Sequence, residues 1–352
     1  MKKQLWLFLF LFFPLTLSGQ QMDVEAGTCN SDCADSGTAV PVIFDTDMGS
    51  DCDDAGALAV LHYFMDRGEA EILGCIYSSG KVPYGAGVVE AINRVYGRPE
   101  IPVGACHDTT FGDPVDKMTA QKLVFDTAAY GNTVVHNRDA EASTLVVRRL
   151  LARAEDNSVV YLTVGHTRGL YELLRSESDS ISPLCGRELV RKKVKRWVAL
   201  GALRAMNEGG NYARDWNFFS NGSGIYTDYL VEHMEVPAWF VAAGDDVMTG
   251  KGLKGLPAGH VVRTIYRDWL WNMFEKTLDD QRPSWDLVAA CFAVQGTGEY
   301  LYEAEPGYLE VHPEKGCKWI YGENPYSHHL ILQKANSAKA FSDYLNRILS
   351  GG

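Results

Sequence analysis

Five aspartates fall within ten residues, in the run Asp45-Thr46-Asp47-Met48-Gly49-Ser50-Asp51-Cys52-Asp53-Asp54. Carboxylates at that density repel one another, so the run is expected either to be a solvated acidic loop or to meet a cation or protons that neutralise it. Its position favours the second reading. An apolar strand-like stretch, Pro41–Phe44, leads into it, and a helical stretch, Ala55–Met65, leads out. In a parallel sheet, the turn leaving the carboxyl end of a strand is where ligands bind.

The elements that would position this turn follow the same alternation along the chain. Strands are predicted at Pro41–Phe44, Glu71–Tyr77, Val159–Val164, Val194–Leu200 and Ala238–Ala242. Helices are predicted at Ala55–Met65, Gly87–Tyr96, Ala140–Ala154, Leu170–Arg175 and Ile225–Met234. This is an α/β pattern, a mainly parallel sheet flanked by helices. After Gly250 the rhythm changes. Helices at Val262–Lys276 and Trp285–Val294 precede short strands at Leu309–Val311, Lys318–Tyr321 and His329–Leu332 and a last helix at Ala338–Leu349, which reads as a small β-containing C-terminal add-on. One domain is expected over residues 41–350.

Composition narrows the class. The chain has 352 residues, 46% hydrophobic and 22% charged, which suits a folded core rather than disorder. A formal net charge of −12 argues against a nucleic acid polymer as partner. Met1-Lys2-Lys3, the apolar run Leu5–Phe13 and the small pair Ser18-Gly19 form the parts of a signal peptide over residues 1–19. The run is shorter than the roughly 20 residues of a spanning helix, so an exported protein, periplasmic or extracellular and without a membrane span after cleavage, is expected. Residues 20–40 read as a flexible leader. Of the eight cysteines, Cys29 and Cys33 could pair locally, while Cys75 and Cys291 lie in apolar runs that suit buried thiols.

Known acidic loops discriminate among the chemistries. An EF-hand needs Gly at its sixth position and Glu at its twelfth; counted from Asp45, Gly49 is fifth and Gly56 twelfth. A haloacid-dehalogenase-like phosphatase would use Asp45 as nucleophile and Asp47 as acid/base, with Asp245 and Asp246 as its distal acids. That family usually has Thr or Val where this chain has Gly49.

A third pattern accounts for more of the chain. Asp45-Thr46-Asp47-x-Gly49 followed by Asp53-Asp54-Ala55-x-Ala57-Leu58 resembles the amino-terminal signature of the inosine/uridine-preferring nucleoside hydrolases. Other segments follow in that family's order: Tyr161–Gly165, Leu200-Gly201-Ala202 through Asn211, Asp215–Phe219, Gly244–Val247 and Trp285–Ala289. The resemblance spans about Pro41 to Val294. It implies a Ca²⁺ site formed by Asp47, Asp54, the main-chain carbonyl of Val164 and Asp286, with Asp47 also the catalytic base. It further implies substrate contacts from Asp53, Asn211, Asp215, Asn217 and Trp285, with Asp45 supporting the ligands from behind. The implied activity is calcium-dependent hydrolysis of the N-glycosidic bond of a ribonucleoside or related N-riboside, a small-molecule partner, by a chain that could form a homodimer or homotetramer.

The chain also departs from that pattern. Three residues rather than one separate Gly49 from Asp53, Ser78-Ser79-Gly80-Lys81 stands where Asn is frequent, Asp215 replaces Glu and Val164 replaces Thr. Trp285 replaces the His that protonates the leaving base in some members, leaving His107, His166 or Tyr212 as other proton sources. A homologue that binds a nucleoside or ribose but has lost turnover is therefore the alternative from a non-enzymatic class.

Overall fold

The computed structural model describes residues 38–206 and 210–351. The predicted signal peptide, almost all of the leader, and Cys29 and Cys33 lie outside the described residues.

The strands are β1 (Val40–Thr46), β2 (Ala70–Tyr77), β3 (Val103–Ala105), β4 (Glu141–Ala142), β5 (Val159–Thr163), β6 (Val194–Leu200), β7 (Ala238–Val241), β8 (Met248–Thr249), β9 (Arg282–Pro283), β10 (Leu301–Glu303), β11 (Gly307–His312), β12 (Gly316–Tyr321) and β13 (His328–Gln333). Nine of them form one sheet in the order β10-β13-β7-β6-β5-β1-β2-β3-β4. All its pairings are parallel except β10 on β13.

Burial on both faces explains why the strands read as unbroken apolar runs. Val42 and Phe44 of β1 join Leu162 and Val198 in one core, while Ile43 between them joins Tyr161, Trp197 and Phe240 in the other. The first core is covered by α1 (Asp53–Asp66) and α2 (Gly85–Val95), and after two short helices, α3 (Ala120–Phe125) and α4 (Thr127–Tyr130), the second is covered by α5 (Ser143–Arg153), α6 (Arg168–Arg175) and α7 (Gly186–Lys193). Next come α8 (Trp216–Phe219) and α9 (Gly224–His233), then α10 (Val261–Phe274), α11 (Trp285–Gln295) and α12 (Ala338–Leu349), the last three again on the first core. Helix α1 lies deep enough that Asp53 through Leu61 are all buried. Gly56 is what permits it: a Cβ there would sit 2.2 Å from the Tyr266 hydroxyl.

The predicted small C-terminal add-on is present, but the strand expected at His329–Leu332 belongs to the main sheet. Strand β13 extends the main sheet beside β7 and β10 closes its edge, so of the strands after β9 the β11–β12 hairpin alone forms a separate sheet. An apolar run alone does not say which sheet a strand joins. The predicted helix from Ala140 begins at Ser143, because Glu141 and Ala142 pair with β3.

One topological fact positions the site. From β1 the chain builds outward through β2, β3 and β4, then returns to the other side of β1 with β5, β6 and β7. The order reverses between β1 and β5, and such a switch point opens a crevice at the strands' carboxyl ends. The Asp45–Asp54 turn and the Val164-Gly165 turn flank that crevice.

Candidate active site

A cavity of about 500 Å³ opens at this edge. Its lining includes Asp47, Asp53, Asp54, Val164, Asp215, Asn217, Trp285 and Asp286, eight positions that the motifs single out from separate parts of the chain. Asn211 is exposed and Asp45 is fully buried, and neither is among the lining residues.

Two helix N-termini converge on the floor. Asp53 and Asp54 occupy the first turn of α1, and Asp286 the first turn of α11. Helix N-termini carry partial positive charge, which favours carboxylates there. Asp53 Oδ2 accepts hydrogen bonds across the gap from the main-chain N–H groups of Trp285 (3.1 Å) and Asp286 (3.2 Å). One oxygen each from Asp53, Asp54 and Asp286 lie within 4.8 Å of one another. Thr46 donates its hydroxyl to Asp54 Oδ1, which fixes that carboxylate at the end of β1.

Asp47 groups differently. One potential ligand atom each from Asp47, Asp113 and His166 again lie within 4.8 Å of one another. His166 is wholly buried and its Nε2 lies 2.9 Å from Asp113 Oδ1 and 3.4 Å from Asp47 Oδ2. The longer approach is not a hydrogen bond, and Asp47 Oδ2 is buried with no hydrogen-bond partner among the described residues. Gly165 makes room for Asp47: a Cβ at 165 would be 2.5 Å from the Asp47 main-chain nitrogen and 2.7 Å from its Cγ.

Asp113 was not visible as a site residue in the sequence. It sits in a Phe111-Gly112-Asp113-Pro114 turn with no motif around it. Its Oδ1 accepts from Trp216 Nε1 and Asn221 Nδ2, both at 3.1 Å, and its Oδ2 accepts from the Ser50 hydroxyl. Arg282 was also missed. The β8–β9 pairing places it beneath the acidic turn, where Nη1 donates to Asp51 and to Asp53 Oδ1, between the rings of Trp269 and Trp285.

The remaining predicted residues are held by the scaffold. Asp45 accepts from Ser78 Oγ and from the Tyr161 hydroxyl at 2.9 Å, tying β1 to its neighbours. With both oxygens so held and no face on the cavity, it is not placed to take up a phosphoryl group. Asp215 caps α8 through Phe218 N and also accepts from Leu203 N, each at 3.0 Å. Asn217 Nδ2 donates to the carbonyls of Val164 (2.8 Å) and Leu200 (3.3 Å), bridging the ends of β5 and β6. The Trp285 indole N–H donates to Asp245 at the mouth.

Burial dominates the electrostatics. It pushes the Asp54 carboxyl up to about 7 and Asp215 up to about 6. Asp47, Asp53 and Asp286 are raised well above the ordinary range, by burial first and then by the neighbouring carboxylates. Such a group is stable only with a counter-charge or protons. Arg282 supplies one positive charge; a divalent cation would supply the rest. The donors are carboxylate and carbonyl oxygens, the set that Ca²⁺ and similar hard cations take, and the orphaned Asp47 Oδ2 is a buried oxygen still seeking a partner.

No protein-family model and no curated protein matches this chain by sequence. Solved structures do match its fold. A plant nucleoside hydrolase, the PpNRh1 enzyme, superposes with a TM-score of 0.63 over 89% of this chain and 99% of that one, at 13% identity. A purine-preferring ribonucleoside hydrolase from Gardnerella vaginalis gives 0.62 over 88% and 98%, at 17% identity. The inosine-uridine preferring nucleoside hydrolase from Bacillus anthracis gives 0.61 over 89% and 100%, also at 17% identity. The likeness takes in nearly the whole of each of those chains, and the protein is therefore built on the nucleoside hydrolase fold.

Proposed function

We infer that the cavity hydrolyses the N-glycosidic bond of a ribonucleoside or related N-riboside with the aid of Ca²⁺. The observation that carries this reading is the convergence of Asp47, Asp53, Asp54 and Asp286, from both ends of the sequence, on one buried cavity beside the Val164 turn. Asp47, Asp54, Asp286 and the Val164 carbonyl would hold the ion. When bound, Ca²⁺ supplies the charge that acidifies a water and grips sugar hydroxyls.

The chain's own residues then divide the work. Asp47 takes the proton of the attacking water at its unpartnered Oδ2; burial raises its proton affinity, as a base at neutral pH requires. Water attacks the anomeric carbon through an oxocarbenium-like transition state, and the bond to the base breaks with inversion. Asn217 and Asp215, fixed by the strand ends and by α8, orient the ribose. Asp53 has both oxygens engaged by Arg282 and by α11, so it acts on the sugar only through a lone pair left over. Trp285 and Trp216 present rings at the mouth, where a nucleobase can stack.

The test pairs binding with turnover. Calorimetry should show Ca²⁺ binding that Asp286→Asn removes, and a nucleoside panel should yield free ribose at a rate that Asp47→Asn lowers at least about 10²-fold. Ca²⁺ binding without sugar release from any nucleoside would favour the binding-protein alternative. Absence of both would end the reading. Export to the periplasm or the cell exterior, and assembly into dimers or tetramers, remain part of the same proposal and are checked by fractionation and by light scattering.

A further inference from the structure

The cavity has a floor of acids and a rim of unpaired cations. Lys117, Arg204 and Arg214 all line it. Among the described residues none of the three forms an ion pair or a side-chain hydrogen bond; Arg214 only stacks on Phe219, its Cζ 5.1 Å from the ring centroid. Four of the lining acids have other partners. Asp51 is taken by Arg282, Asp245 by the Trp285 indole, Asp215 by two main-chain N–H groups and Asp113 by four side chains. Neutral donors leave most of those carboxylates charged, so what distinguishes the three cations is that none of them is spent on a carboxylate, whereas Arg282 is.

The backbone holds these cations in place. Ala202 and Arg204 both adopt left-handed conformations, at φ 60° and 65°, which cost side-chain-bearing residues energy. The turn is anchored by the Leu203 N–H on Asp215, and strain retained at a cavity rim is a feature of binding sites. Arg214 follows Ala213, which bridges to Cys317 of β12. Lys117 comes from the loop that follows Asp113, its main-chain N–H bonded to the Gly49 carbonyl at 2.9 Å. Arginine forks and a lysine ammonium around an opening of this size are the donor set that recognises phosphate.

We propose that the preferred substrate carries a phosphate: a nucleoside 5′-phosphate or diphosphate, its N-riboside seated on the acidic floor and its phosphate on Lys117, Arg204 and Arg214. This rests on the hydrolase reading above and names its substrate class. The bond broken is still the N-glycosidic one. Water adds to the anomeric carbon and gives a proton to Asp47, while the base leaves with the electron pair of the C–N bond and takes up a proton from solvent, so the product is a ribose phosphate and the phosphoester stays intact.

The experiment compares adenosine, AMP and ADP at constant free Ca²⁺, in the wild type and in the combined variant Lys117→Met/Arg204→Gln/Arg214→Gln. All three positions are exposed or half-buried, so the variant is expected to fold, which circular dichroism checks. The expected kcat/KM for AMP exceeds that for adenosine by about tenfold or more, the effect of one charge-assisted hydrogen bond. The variant should bring that ratio down by a similar factor, and added salt should erode it in the wild type. Equal or better turnover of adenosine, or a ratio unchanged in the variant, overturns the proposal. Should no compound be hydrolysed, the hydrolase reading fails, and calorimetry with ADP decides this one separately: binding that the variant loses supports it, while no binding, or equal binding by the variant, overturns it.

Discussion

Arg282 and Asp53 form a buried ion pair, Nη1 to Oδ1 at 2.8 Å, directly beneath the cavity floor. Breaking such a pair from one side leaves an uncompensated charge in the interior. Arg282→Met is expected to destabilise the metal-free protein by roughly 3–5 kcal/mol in urea denaturation. The same variant should gain more from saturating Ca²⁺ than the wild type does, because the ion then supplies the missing charge. An equal Ca²⁺ increment in both proteins would show that Arg282 does not share in neutralising the cluster.

Metal addition and removal should register as stability. A ligand at 100 times its Kd stabilises the folded state by about 2.7 kcal/mol. Ca²⁺ should raise the Tm, EDTA should reverse the rise, and Asp54→Asn should flatten the response. A wild-type melting curve indifferent to Ca²⁺ would place the ion elsewhere or nowhere.

Gly165 has no space for a methyl group beside Asp47. Gly165→Ala is expected to shift that carboxylate at a cost of about 1–3 kcal/mol in stability. A displacement near 1 Å is enough to reduce kcat by about 10²-fold. Steady-state kinetics alongside thermal denaturation separates the two effects; unchanged kcat would mean that Asp47 need not be held where it is.

His62 gives the protein an acid-sensitive interior. Its ring is fully buried, with Nε2 2.9 Å from Asn93 Oδ1 and Nδ1 3.2 Å from Arg98 Nη1, so the neutral tautomer donates at one nitrogen and accepts at the other. Burial lowers its pKa to about 4, against 6.5 for the unperturbed side chain. Between those values the unfolded chain binds more protons than the folded one, so stability is full above pH 6.5 and falls as pH drops toward 4. The shift corresponds to roughly 3 kcal/mol. His62→Gln keeps a donor and an acceptor and should lose about that much of the pH dependence across this window, measured by urea midpoints at each pH.

The strands and helices around the site were legible because burial on two faces leaves long apolar runs in sequence. Val194–Leu200 and Ala338–Leu349 begin and end where the apolar pattern does. The three-residue β3 and the two-residue β4 and β9 carry too little pattern to read, yet β9 is what delivers Arg282 to the acidic turn. Asp113 was equally invisible. Its neighbours along the chain say nothing, and only folding brings Ser50, His166, Trp216 and Asn221 onto one carboxylate.

What the sequence determined by itself is the inventory: an α/β alternation, a strand that runs into five aspartates, and later segments in an order that marks Val164, Asp215, Asn217, Trp285 and Asp286. Those are local properties, written in residue type and spacing. The tertiary structure alone decided how charge is distributed among them. It turned the sheet's strand order at β1 and β5 to open the cavity, set the N-termini of α1 and α11 face to face, slid Arg282 beneath Asp53, and left three cations unpaired at the rim. Charge interactions depend on distance and burial, and neither exists until residues more than two hundred positions apart are brought together.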